Sequence, residues 1–217
     1  MARSEGVWVA EPMEQQFPHL THLDLIGEQK IHPDDVPYIH LDRFLGGSAP
    51  SLQHLRVDEF EYGGLPSLLV SAPNLVSLQI KNIRLPHYTP PEVMVGALTG
   101  LTKLRDLCIE FSNWLLTHPP PPALVRTVFP ELIKFQIRDR NEYLNGLVAL
   151  IDVPRLEDLS VESTKRYPNF DTGPTIVGQL SQFISRTPTF KHAQFRHAEL
   201  TLRHRITQDR RRRERML

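Results

Sequence analysis

The chain has 217 residues, enough for one domain with a continuous core, and its 25 Lys/Arg against 25 Asp/Glu give a formal net charge of zero. Its single cysteine, Cys108, excludes an intrachain disulfide, and no run of about 18 uncharged apolar residues exists to form a membrane-spanning helix. The charge is unevenly spread: nine Lys/Arg and three Asp/Glu from Lys191 onward put +6 at that end and leave −6 on residues 1–190.

Residues 1–16 are short and mixed, either a cap laid over residues 17–25 through Val7, Trp8 and Val9 or a frayed end. From Leu20 onward one phrase returns six times: an apolar residue, often after proline, opening Leu-x-x-Leu-x-Leu or a close variant. It runs Leu20-Thr-His-Leu23-Asp-Leu25, Leu52-Gln-His-Leu55-Arg-Val57 and Leu75-Val-Ser-Leu78-Gln-Ile80. It continues as Leu104-Arg-Asp-Leu107-Cys-Ile109, Leu132-Ile-Lys-Phe135-Gln-Ile137 and Leu156-Glu-Asp-Leu159-Ser-Val161. Its alternation of apolar and polar residues predicts a half-buried strand each time. Between the phrases, Leu65–Ala72, Pro91–Leu98, Tyr143–Ile151 and Val177–Ser185 space their apolar residues as helices do. A weaker seventh unit is expected around Phe190–Phe195.

The opening leucines lie 32, 23, 29, 28 and 24 residues apart, mostly within or beside the period of a leucine-rich repeat, about 20–29 residues. The expected fold is therefore α/β: a leucine-rich-repeat solenoid with a curved parallel sheet on the concave face and helices on the convex face. One repeat cannot bury its own apolar edge, so neighbours do it by stacking. Pro18, Pro50, Pro73, Pro130 and Pro154 are expected to hold the approach to each strand extended and to end the preceding helix. Three segments read as insertions: Gly27–Asp42, Trp114–Ala123 with Pro119–Pro122, and Thr164–Thr175. The asparagine that many such repeats place three residues after the last strand leucine is missing. Glu28, Phe60, Ile83, Ser112, Arg140 and Thr164 stand there, which predicts looser turns. The organisation expected is residues 1–16 as a cap or tail, 17–198 as the repeat domain and 199–217 as a basic tail.

If the apolar positions face the core, the alternating ones line the concave face. These are His22, Asp24 and Ile26; His54, Arg56 and Asp58; Ser77, Gln79 and Lys81; Asp106, Cys108 and Glu110; Lys134, Gln136 and Arg138; and Asp158, Ser160 and Glu162. All but Ile26 and Ser77 are candidate protein-binding residues. The last three strands predict two lateral rows, Asp106–Lys134–Asp158 and Glu110–Arg138–Glu162. Such rows either satisfy one another and set strand order or form a charged docking patch.

Catalytic signatures are missing: no Gly-x-Ser-x-Gly, no phosphate-cradling Gly-x-x-x-x-Gly-Lys and no dinucleotide fingerprint. No histidine pair stands at His-x-x-x-His spacing on a helix, so no metal is expected. Acidic neighbours are expected to raise the Cys108 thiol pKa and leave it inert. Pro119–Pro122 reads as a rigid loop, because the basic flank of a polyproline ligand is missing. The tail carries Arg203, Arg205, Arg210, Arg211, Arg212, Arg213 and Arg215, suited to phosphate contact or nuclear import. That supplies the alternative function, a nucleic-acid-associated or nuclear protein. No aromatic residues interleave with these arginines, which disfavours single-strand recognition.

Several phrases resemble F-box and leucine-rich-repeat proteins of basidiomycete fungi. They are Phe17-Pro-His-Leu-Thr-His-Leu-Asp-Leu25, Phe44-Leu-Gly-Gly-Ser-Ala-Pro-Ser-Leu52 and Gly64-Leu-Pro-Ser-Leu-Leu-Val-Ser-Ala-Pro-Asn-Leu75. Pro90-Pro-Glu-Val-Met-Val95, Pro119–Pro122, Glu142-Tyr-Leu144, Ile151-Asp-Val-Pro154 and Gln182-Phe-Ile-Ser-Arg-Thr-Pro-Thr-Phe190 add to it, over about residues 13–198. The resemblance implies a substrate-receptor repeat domain of the kind an F-box attaches to a Skp–cullin ubiquitin ligase. Sixteen residues precede the first repeat, and no Leu-Pro-x-Glu-type F-box opening is visible. The reading is thus a non-enzymatic, monomeric protein-binding module without cofactor, in the cytoplasm or nucleus. Its partner is a protein, with a Skp-type adaptor as a candidate, and neither nucleic acid nor membrane is favoured.

Overall fold

A computed structural model describes residues 14–27, 39–40, 44–58, 62–63, 65–83, 89–111, 126–139, 141–163, 180–187, 189 and 192–197. The three insertions lie largely outside these residues, as do residues 1–13 and 199–217.

Each repeat phrase delivers a strand. They are β1 (His22–Ile26), β2 (His54–Asp58), β3 (Ser77–Ile83), β4 (Asp106–Phe111), β5 (Lys134–Asp139) and β6 (Asp158–Ser163). The seventh unit adds β7 (His192–His197). All seven run parallel in one sheet whose spatial order follows the chain. Between them lie α1 (Leu65–Ser71), α2 (Pro91–Leu98) and α3 (Asn141–Leu150), and residues 180–185 are also helical. Two-residue parallel pairings, Ile39–His40 with Tyr62–Gly63 and Thr127–Val128 with Ile151–Asp152, join neighbouring units away from the main sheet.

The leucine phrase explains the register. From the second unit to the sixth its three apolar positions are all buried, as in Leu52, Leu55 and Val57 or Leu132, Phe135 and Ile137. They form one core with Leu68 and Leu69 of α1, Met94 and Leu98 of α2, Leu144, Leu147 and Val148 of α3, and Leu180 and Phe183. In the first unit Leu20 and Leu23 are only half-buried and pack against this core. Sliding any strand by one residue would turn this apolar set out to water, at a cost of about 25 cal/mol per Å² exposed.

The prolines act differently from the expectation. In all six units the backbone N–H of the opening leucine donates to the carbonyl three residues back: Leu20 to Phe17, Leu52 to Ala49, Leu75 to Ala72, Leu104 to Leu101, Leu132 to Phe129 and Leu156 to Val153. Pro18, Pro50, Pro73, Pro130 and Pro154 thus stand second in a tight turn, where a ring-locked φ is favoured, and not in an extended approach. Thr102 takes that place in the fourth unit.

A second device repeats just after the turn. The carbonyl of Thr21 accepts the N–H groups of both Gln53 and His54. The carbonyls of Gln53, Val76, Arg105 and Ile133 do the same for Val76 and Ser77, Arg105 and Asp106, Ile133 and Lys134, and Glu157 and Asp158. This relay fixes each unit against the next at the turn end of the strands.

Irregularity sits at the other end. The β3–β4 pairing is interrupted between Ile80 and Ile83, where Asn82 has φ 53°. Its side-chain amide donates to Asp58 Oδ1 at 2.7 Å, holding a conformation that asparagine tolerates better than most residues. Gly46-Gly47 does form a turn, with φ of 63° and 70°. A Cβ on Gly46 would lie 2.5 Å from Gln16 Cγ, so the turn demands glycine there.

Candidate protein-binding face

The strand face turned away from the core carries the residues the alternation assigns to it, and the register arranges them in three lateral rows. At the turn end stand His22, His54, Ser77, Asp106, Lys134 and Asp158, with His192 next in register. The central row is Asp24, Arg56, Gln79, Cys108, Gln136 and Ser160, followed by Gln194. The far row runs Ile26, Asp58, Lys81, Glu110, Arg138 and Glu162, followed by Arg196, with the β3 irregularity falling between Lys81 and Glu110.

Both charge rows read from the sequence are aligned as expected, but they behave differently. Arg138 Nη1 donates to Glu110 Oε1 at 2.9 Å, and its Nε lies 3.4 Å from Glu162 Oε1. One guanidinium therefore spans three strands. Lys134 is aligned between Asp106 and Asp158, yet among the described residues it forms no ion pair with either. A planar five-donor fork can serve two carboxylates at once, whereas an ammonium on a flexible stem is held less firmly.

At the β1–β2 end the pairing runs along a strand. Arg56 Nη2 donates to Asp58 Oδ2 at 2.7 Å. That bond, with help from Asn82 and Lys81, lowers the Asp58 carboxyl pKa against the opposing effect of burial. The same bond holds the Arg56 guanidinium more firmly protonated. His22 and His54 stack at the turn end with ring centroids 4.2 Å apart, and Ile26, at the other end of β1, is 61% exposed.

Cys108 is half-buried and its thiol pKa is raised. Burial is the largest cause, Lys81 opposes it, and Glu110 and Asp58 add smaller upward contributions. The direction matches the sequence reading, while the main cause is desolvation and not the carboxylates. No group of three or more His, Cys, Asp or Glu side chains is gathered as metal ligands, and no helix is long and apolar enough to cross a membrane, both among the described residues.

The central row has unspent capacity. Among the described residues the side chains of Gln79, Gln136 and Ser160 make no hydrogen bond to the rest of the chain. One further row escaped the sequence reading, along the turn edge. Lys103 Nζ donates to Asn74 Oδ1 at 2.7 Å, Asn74 Nδ2 donates to the Pro50 carbonyl at 2.7 Å, and Arg155 grips both oxygens of Glu131 at 2.7 and 2.9 Å. Lys103, Asn74, Arg155 and Glu131 all hold the third position of the recurring turn, and that shared position was the available signal. The Arg203–Arg215 cluster lies outside the described residues.

Compared with known proteins, the chain matches no family model, no curated protein and no solved structure.

Proposed function

We propose that the chain is a non-catalytic protein-binding module, a leucine-rich-repeat solenoid whose sheet is the concave, partner-facing side and whose helices are the convex side. The observation that carries this reading is the open face. Seven aligned strands present two continuous lateral rows and a third interrupted between Lys81 and Glu110, and in the central row the described glutamine and serine side chains are not consumed by the fold. Repetition of many weak polar contacts at fixed spacing is how such an array selects a partner. The resemblance to fungal F-box repeat proteins favours a receptor-like role, with a Skp-type adaptor as a candidate partner and the cytoplasm or nucleus as the place.

The test is affinity purification of the tagged chain from its own cells, beside a Lys134→Glu/Ser160→Arg variant that blocks the face. Proteins enriched by the original chain and lost with the variant support the reading. An identical set from both sinks it. Recovery of a Skp-type adaptor and cullin would add the ligase role.

The +6 end from Lys191 onward supports the second reading, attachment to nucleic acid. Deleting residues 203–217 should then abolish binding to duplex DNA or RNA that weakens steeply with salt. Binding unchanged by the deletion would exclude it.

A further inference from the structure

We propose that copies of this chain associate head to tail, the sheet of one copy continuing from its β7 onto β1 of the next, in place of the monomer expected from the sequence.

Charge is graded along the sheet. Residues 1–61, which supply β1 and β2, carry eleven Asp/Glu and four Lys/Arg, a net of −7. Residues 62–190 carry eleven and twelve, a net of +1. Residues 191–217, which supply β7 and the tail, carry three and nine, a net of +6. The strands stand in chain order, so these charges belong to opposite ends of the sheet, six strand spacings or about 29 Å apart. That exceeds the screening length of about 8 Å at physiological salt, and β1 and β7 of one copy are held too far apart for their charges to meet. A second copy set end to end brings −7 against +6.

The backbone prepares both ends for the same contact. Among the described residues β1 pairs only with β2, and β7 only with β6. Each of β2 to β6 is entered by two N–H groups held on one carbonyl of the preceding unit. The N–H groups of Thr21 and His22, which enter β1, meet no such carbonyl among the described residues. Leu20 and Leu23 are half-buried, whereas their counterparts in the second to sixth units, from Leu52 and Leu55 to Leu156 and Leu159, are buried. One added strand supplies acceptors and cover together. All seven strands run parallel, so β7 of another copy meets β1 in the direction the sheet already has. The two surfaces in contact differ, and the association repeats into chains or rings instead of stopping at a dimer.

The test is sedimentation velocity on the purified full chain over a range of concentrations. At about 50 mM salt the mean mass should rise to at least twice that of one chain, and at about 0.5 M it should return to one. Two charge-reversed variants fix the polarity. The head variant is Asp34→Lys/Asp35→Lys/Glu59→Lys/Glu61→Lys, and the tail variant is Arg210→Glu/Arg211→Glu/Arg212→Glu/Arg213→Glu. None of these positions lies in a strand or helix described above. Each variant alone should stay a single chain. An equal mixture should give mainly a dimer, because the −7 and +6 ends meet once and the reversed ends, +1 and −2, hold little charge. His22→Pro, which removes an N–H the described chain does not use at an edge that tolerates proline, should weaken association at least tenfold. A single chain under every condition would overturn the proposal, including the case of a tail folded back on its own first units. So would association kept by both charge variants, a mixture that grows like the original chain, or undiminished association of His22→Pro.

Discussion

Two rows of the same face carry the same order of charges on the same three strands, and only one closes. Glu110–Arg138–Glu162 is joined by a guanidinium that reaches both sides, while among the described residues Lys134 pairs with neither Asp106 nor Asp158, and Asp158 has another partner. The register is common to the two rows, so backbone alignment does not separate them. What differs is the cation's shape, the carboxylates' reach, since Glu carries one more methylene than Asp, and the engagement of Asp158 by another partner. Alternating charge is thus permission for a lateral ion pair, and side-chain geometry decides whether it forms.

The comparison can be broken most severely from beneath. Leu78 is fully buried under the face, and Leu78→Ala should cost about 2–5 kcal/mol in urea denaturation, loosening both rows together. A loss under about 1 kcal/mol would mean that the core does not set the register. Next comes Arg138→Ala, expected to cost up to about 1 kcal/mol because the pairs are partly exposed. Lys134→Ala should stay within about 0.5 kcal/mol of the original chain. Equal effects from the two alanines would erase the distinction. Lys134→Arg sharpens it: a closed row should raise stability by a few tenths of a kcal/mol, about the size of an exposed pair. No gain would place the cause in the aspartates, through their shorter reach or the other partner of Asp158.

The smallest effect concerns acid. The Asp58 carboxyl pKa is lowered by Arg56, so its contribution is present above the ordinary carboxylate value, about 4, and disappears as pH falls through its lower folded value. Thermal melts from about pH 5 to about pH 2 should show a shallower acid loss in Asp58→Asn than in the original chain. Parallel curves would mean that the Arg56–Asp58 bond does not persist in solution.

Much of this arrangement was legible because one short phrase determines several things at once. Leu75, Leu78 and Ile80 mark a strand, its inward face and, by difference, the outward Ser77, Gln79 and Lys81. The lateral rows came from counting along that phrase. The features that escaped depend on groups the residue names do not display. The double-acceptor carbonyls of Thr21 and Val76 are backbone. The turn-edge pairs Asn74–Lys103 and Glu131–Arg155 became visible only once Pro73 and Pro130 were seen to sit inside turns. The β3 irregularity at Asn82 is local, and the stack of His22 on His54 depends on rotamers. The difference between Lys134 and Arg138 was beyond a reading that treated both simply as cations.

The backbone relay has a consequence for how such a chain can be edited. Units 23 to 32 residues long all return to the same turn and the same twin-acceptor carbonyl, so length variation is discharged on the far side of the strands. Cutting out residues 76–104 would join Leu75 to Arg105, whose carbonyl already serves Ile133 and Lys134. The shortened chain would keep its grammar and lose one column, Asp106's neighbours on β3, from the face. The molecule is written in interchangeable lines, and the pattern of its open face can be revised a line at a time.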